Sequence, residues 1–294
     1  MSQVPDAALD DVWTRGFALV EGFLDGAELA AAQAALPQLL PSSERYHRSP
    51  ERYAHLVADQ FAGNLKYPFG QLALDRLAYH PDLISAAERF FDNTDLAVYK
   101  VELWGKYSGA VDYDQRHHRD YGNHNLLVPR ADRRWTQLTT WLLLSDVTEQ
   151  DGPTMVVPRD GGDQPLLSTR YQSETNGLRD TEIPVVGPAG TLFLYTTDVF
   201  HRGSAMTGSR RARFIYGVDI MERGAPWLGK MAWPDRAPQS GWNEILGDCT
   251  PRQRELFGIP PPGHDYWTEQ TIRDVAVRWP AWDMTPYAAA MPDT

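Results

Sequence analysis

The sequence predicts a mainly β fold with flanking α-helices, a sandwich or barrel of short strands behind a helical N-terminal part. Two observations carry this. Up to about residue 95 the apolar residues recur at helical spacing, and from Asp95 onward short runs of branched and aromatic residues alternate with Gly, Pro and Asp punctuation. The 294 residues suit one large domain of this kind, read as a helical part (1–95), a strand core (96–222) and a Trp- and Pro-rich C-terminal extension (223–294).

Taken in order, residues 6 to 15 read as a short helix and Gly16-Phe17-Ala18-Leu19-Val20 as a strand closed by a turn at Gly22. Asp25 offers a side-chain oxygen to cap a helix over Gly26 to Leu36, whose Ala and Leu content favours that state until Pro37 stops it. Pro81 to Phe91 places Leu83, Ile84, Ala87, Phe90 and Phe91 on one helical face. Leu96 to Trp104 is the first core strand, followed by strands at Thr136 to Leu144, Thr154 to Val157, Gly190 to Tyr195 and Arg213 to Ile220. Beyond Glu222, helices are expected over Pro251 to Phe257 and near Thr268 to Val277, separated by the rigid Pro260-Pro261-Pro262-Gly263. Tryptophans 227, 233, 242, 267, 279 and 282 predict a wrap over the strand core, with a substrate lid as the sharper alternative.

Composition narrows the partners. Lys plus Arg number 28 against 39 for Asp plus Glu, and the resulting charge of −11 argues against nucleic-acid binding by the molecule as a whole. No run approaches the ~18 apolar residues of a membrane span, and the polar Met1 to Asp11 does not read as a signal peptide. Cys249 is the single cysteine, so neither an intramolecular disulfide nor a Cys-based metal site is available, and a reducing cytoplasm is the expected compartment.

Chemistry concentrates in Gln115-Arg116-His117-His118-Arg119-Asp120-Tyr121-Gly122-Asn123-His124. On extended backbone, residues two apart share a side, so His118 and Asp120 can hold one metal ion between them; His117 has the opposite parity and faces away, while His124 reads as a loop residue, with a place behind the ligands or facing substrate as the alternative. His201, about eighty residues on at a strand-to-turn junction, is the candidate third ligand. Two histidines and a carboxylate suit divalent iron, because three ligands on one face leave positions open for substrates and dioxygen. The following Ser209-Arg210-Arg211-Ala212-Arg213 enters an apolar strand, where a buried guanidinium calls for a carboxylate; Arg211 and Arg213 share parity, so either can point inward. Lys106, Tyr107, Gln137, Thr139 and Trp141 are candidates to line a pocket, whereas His47, His55, His80 and His264 lack chemical company.

The combination of His118-Arg119-Asp120, Trp141 to Pro153, Val156-Val157-Pro158 and His201-Arg202-Gly203 followed by arginines resembles the phytanoyl-CoA dioxygenase type of iron(II)- and 2-oxoglutarate-dependent oxygenases. The resemblance implies a double-stranded β-helix, a cupin-like jelly-roll buttressed by N-terminal helices, with His118, Asp120 and His201 as iron ligands. It implies 2-oxoglutarate and O2 as co-substrates, and an arginine holding the distal carboxylate: Arg213, which runs directly into its strand, with Arg211 in reserve. The expected reaction is oxidation of a small molecule, by default hydroxylation, with release of succinate and CO2. Asp120 keeps the carboxylate that related halogenases replace with a small residue, which favours hydroxylation, or another oxidation such as desaturation or ring formation, over halogenation. Val157-Pro158-Arg159-Asp160-Gly161 departs from the family's Pro-Gly-Ser-His signature, a turn that carries no iron ligand. Two other functions use the same scaffold: a non-redox cupin-like metal enzyme, which has no need of Arg213, and a catalytically silent binding protein, which would lack a ligand.

Overall fold

The computed structural model describes residues 4–24, 26–124, 133–161, 177–224, 233 and 241–291. Asp25 and Trp227 therefore lie outside the described residues. Strands β1 (Phe17–Val20), β2 (Asn64–Lys66), β3 (Leu96–Tyr107), β4 (Gln137–Leu143), β5 (Thr154–Val156), β6 (Ile183–Pro184), β7 (Leu192–Thr196), β8 (His201–Gly203) and β9 (Ala212–Glu222) form two antiparallel sheets. The larger runs β1-β7-β4-β9-β3-β2 and the smaller β6-β5-β8, and a cavity opens between them. This is the double-stranded β-helix, open rather than closed as a barrel.

The N-terminal part is helical where periodicity predicts it, at Asp6–Thr14, Gly26–Ala35 and Pro81–Phe91. The second helix ends one residue early, and Pro37 sits in the first turn of a 3-10 helix over Leu36–Gln38, where its missing N–H leaves no bond unmade. Strand β2 was not anticipated: three residues of mixed polarity carry no periodic signal, and only pairing with Glu102 to Trp104 makes them a strand.

β3 governs which side chains reach the cavity. Its register against β9 slips between Val98 and Lys100, and this bulge sets the parity of everything downstream. Lys100, Glu102, Trp104 and Lys106 then face the cavity, while Val101 and Leu103 join the core beneath the helices. The strand buries both faces, which is why charged residues interrupt its apolar pattern without being exposed.

The C-terminal extension packs on that core side. Beyond the expected helices, found at Pro251–Glu255 and Glu269–Arg278, it contains helices Trp242–Asp248 and Thr285–Ala289. Trp242, Trp267 and Trp282 are buried with Val101 and Leu103, and Trp233 and Trp279 pack against the same cluster. The Leu256 carbonyl accepts the Val98 N–H at the bulge, 3.0 Å, so the extension satisfies a donor that the ladder leaves over. Among the described residues of 241–291 none lines the cavity.

Candidate active site

His118 and His201 form an isolated antiparallel bridge, each N–H donating to the other's carbonyl at 3.0 Å. His201 opens β8 after the turn that follows β7, rather than closing a strand, and this bridge brings its ring within 4.5 Å of that of His118. Asp120, two residues after His118, turns to the same side. Its Oδ1 lies 3.8 Å from His118 Nε2 and its Oδ2 3.4 Å from His201 Nε2. One ligand atom from each residue falls within 4.8 Å of the others.

The surroundings prepare the donors. His118 Nδ1 donates to the Arg116 carbonyl at 3.0 Å and His201 Nδ1 to the Val199 carbonyl at 3.1 Å. A carbonyl only accepts, so each Nδ1 carries the proton and each Nε2 presents its lone pair inward. Burial pushes the His201 imidazole down to about 4 despite the opposing pull of Asp120, which keeps it neutral near pH 7. Burial alone would raise the Asp120 carboxyl, but His201, His124, Lys100 and His118 together hold it well below the usual carboxylate range. The Tyr195 hydroxyl donates to Asp120 Oδ2 at 2.8 Å and accepts from Trp141 Nε1 at 3.0 Å, fixing the carboxylate in place. Two imidazole nitrogens and one carboxylate are the donor chemistry of a divalent transition metal, and the residues present fit iron(II).

His117 faces away, as its parity predicts, but it is not idle. Its Nε2 meets Glu182 at 2.8 Å, and Arg202 donates to both oxygens of the same carboxylate at 2.8 and 2.6 Å. His117 adjoins His118 and Arg202 adjoins His201, so Glu182 clips the two ligand-bearing segments together from behind. Burial would raise Glu182, but His117 and Arg202 bring it down to about 2.

The cavity over the three donors encloses about 640 Å³, within the range of small-molecule sites. Trp104, Trp141 and Phe61 supply aromatic walls. Arg213 lines it and is buried; it donates to the Gly152 carbonyl, and its Nε has no partner. Burial draws its guanidinium down to about 10. Arg211 goes elsewhere, donating to both Asp151 oxygens at 3.0 and 3.1 Å and to Gln150. Between the metal donors and the larger sheet lies a charged layer that sequence reading did not assemble. Lys66 and Lys100 both engage Glu102, and Lys100 stands 3.5 Å from Asp219.

Of the two readings of His124, the structure departs from the loop role: the residue ends a short helix, Tyr121–His124, lines the cavity, and meets Gln137 Oε1 at 3.0 Å. Of the other pocket candidates, Lys106 and Trp141 line the cavity. Tyr107 turns to the other face and donates to the Pro41 carbonyl at 2.8 Å. Gln137 and Thr139 are buried without lining the cavity. Arg159, in the segment that departs from the family signature, pairs with Asp198 at 3.0 Å and steadies the turn leading to His201.

Fold and site together define a jelly-roll protein with a two-histidine, one-carboxylate centre. The chain belongs to the phytanoyl-CoA dioxygenase (PhyH) family, whose model matches residues 13–214. By sequence, no curated protein matches the chain. Solved structures share the fold. One is the epimerase SnoN in complex with Fe3+, alpha ketoglutarate and nogalamycin RO, at 20% identity over 80% of this chain and 91% of that one, TM-score 0.54. Another is the non-heme alpha ketoglutarate dependent carbocyclase SnoK from nogalamycin biosynthesis, at 19% identity over 74% and 84%, TM-score 0.50. A third is AviO1 from Streptomyces viridochromogenes Tue57, at 17% identity over 78% and 99%, TM-score 0.52.

Proposed function

We propose that the protein is an iron(II)- and 2-oxoglutarate-dependent dioxygenase that hydroxylates a small molecule, with His118, Asp120 and His201 holding the metal and Arg213 holding the distal carboxylate of 2-oxoglutarate. The observation that carries this reading is the presence, in one cavity, of three converging candidate metal donors and a buried arginine that forms no ion pair among the described residues. A non-redox enzyme on the same scaffold would have no use for that arginine, and a silent scaffold would not need inward lone pairs on both histidines.

Bound iron(II), with 2-oxoglutarate and O2, supplies the oxidising chemistry, releasing succinate and CO2. The chain does the rest. Tyr195 and the backbone carbonyls of Arg116 and Val199 orient the ligands, the cavity walls limit water, and Trp104, Trp141 and Phe61 offer flat apolar surface to the substrate. A compact substrate with a planar or apolar body fits that lining.

Anaerobic addition of iron(II) and then 2-oxoglutarate should produce a weak visible charge-transfer band, and Asp120→Ala should abolish both the band and iron-dependent succinate formation. An unchanged band in that variant would remove Asp120 from the ligand set. With a turned-over substrate, labelled dioxygen should add one labelled oxygen atom; a product without it would replace hydroxylation by another oxidation or a stereochemical change.

A further inference from the structure

Three lysines line the cavity, and among the described residues all but one have an acid beside them. Lys66 and Lys100 share Glu102, and Lys100 also has Asp219. Lys106 is just 3% exposed and lines the cavity, yet among the described residues its ammonium meets only the faces of Trp104 and Tyr113, 5.3 and 4.6 Å from the ring centroids. Directly across the strand pair, in register, stands Arg213, equally buried. The acid nearest in influence to Arg213 is Asp151, but its oxygens are taken by Arg211 and Thr148. Among the described residues, two buried basic groups thus sit side by side with no acid paired to either. Burial, and then the neighbouring Arg213, push the Lys106 ammonium well below its ordinary 10.5. Aromatic faces position an ammonium but do not neutralise it, and an anion bound between the two would restore its proton and offset the cost of burying both.

We infer that Lys106 is a second anchor for the distal carboxylate of the co-substrate, acting beside Arg213 and setting the preference for a dicarboxylic over a monocarboxylic 2-oxo acid. This rests on the oxygenase reading above and extends it to a residue on another strand. The guanidinium fork and the ammonium approach one carboxylate from neighbouring strands, so each oxygen gains its own cation. A 2-oxo acid ending in a methyl group would leave both cations unpaired.

The test is binding, read without turnover. The full-length protein, loaded with iron(II) under anaerobic conditions, is titrated with 2-oxoglutarate and separately with 2-oxopentanoate, which has the same chain length but no distal carboxylate. Calorimetry and tryptophan fluorescence report both, Trp104 and Trp141 lying in the cavity. Lys106→Met should weaken 2-oxoglutarate about tenfold or more while leaving 2-oxopentanoate unchanged. Lys106→Arg should retain most of the affinity. The melting temperature of Lys106→Met should hold or rise, because a buried amine with no acid partner is replaced by an apolar side chain of similar length; a fall would mark the lysine as a structural residue and overturn the assignment. Equal 2-oxoglutarate affinity in Lys106→Met and the unaltered protein would overturn it alone. Failure of the unaltered protein to bind 2-oxoglutarate would overturn it together with the oxygenase reading.

Discussion

At the scale of single residues, the candidate site depends on groups that never point their own atoms at the metal position. Tyr195 is the clearest case: its hydroxyl joins Trp141 to Asp120 and fixes which carboxylate oxygen stays available. Tyr195→Phe keeps the ring stacked on Phe193, 4.9 Å between centroids, and deletes only the hydroxyl's two hydrogen bonds. Iron(II) affinity in that variant should fall about tenfold or more, with the melting temperature little changed; metal titration and thermal unfolding measure the two effects. His118 and Asp120 were legible in the sequence because an i, i+2 relation is local. Tyr195 was not, because its bond to Asp120 joins positions 75 apart in the chain, and only the bridge of His118 with His201, together with the Tyr121 N–H bond to the Thr197 carbonyl just after β7, brings them together. The choice between Arg211 and Arg213 was likewise undecidable by parity, both being odd. Position along the strand separates their surroundings and supports the proposal of Arg213: β9 begins at Ala212, so Arg213 is locked into the ladder opposite Lys106 while Arg211 lies outside and reaches Asp151.

At the scale of elements, strands with inward-facing side chains were easier to locate than to orient. The start of β3 was legible from its branched and aromatic run, but the bulge at Val98/Lys100 was not, since no Gly marks it and its compensating bond comes from Leu256. Short elements also rely on single polar groups, and Asp75 shows how. It ends the helix Leu72–Asp75, is 1% exposed, and closes the preceding turn by accepting from Phe69 N at 2.8 Å and Gln71 N at 3.0 Å. Burial outweighs these bonds and raises its carboxyl from the ordinary 3.8 to about 6. A folded-state value above the unfolded one means the folded protein holds its proton longer. The contribution to stability is therefore full below the unfolded value and is lost as pH rises through about 6. Asp75→Asn stays neutral throughout, so the stability of the unaltered protein relative to this variant should decline by about 2 kcal/mol between pH 4 and 7. Urea unfolding at several pH values reads that difference, and a pH-independent difference would count against the protonation.

At the scale of the whole molecule, the larger sheet is used on both sides: one face makes the cavity and the other carries the C-terminal extension. The family model ends at residue 214, so the extension that covers the core face lies beyond it. Its tryptophans were visible in the sequence, but their destination was not, because abundance of aromatic residues serves a lid and a wrap equally. Their neighbours settle it for the described residues. Tyr67, fully buried, is ringed by Phe257, Trp233 and Trp242 at centroid distances of 5.9, 5.8 and 5.7 Å, and Trp267, Trp282 and Tyr287 form a second group. Both belong to the cluster that includes Val101 and Leu103, on the side of β3 turned away from the cavity. Trp242→Ala should then cost about 3–5 kcal/mol in urea unfolding, the range for emptying an aromatic site in a core. The affinity of the folded variant for 2-oxoglutarate should stay within about twofold, since interactions on opposite faces of a rigid sheet are close to independent. A lid would give the reverse pattern, little change in stability and a large loss of ligand retention, so the two measurements on one variant distinguish a structural wrap from a gate.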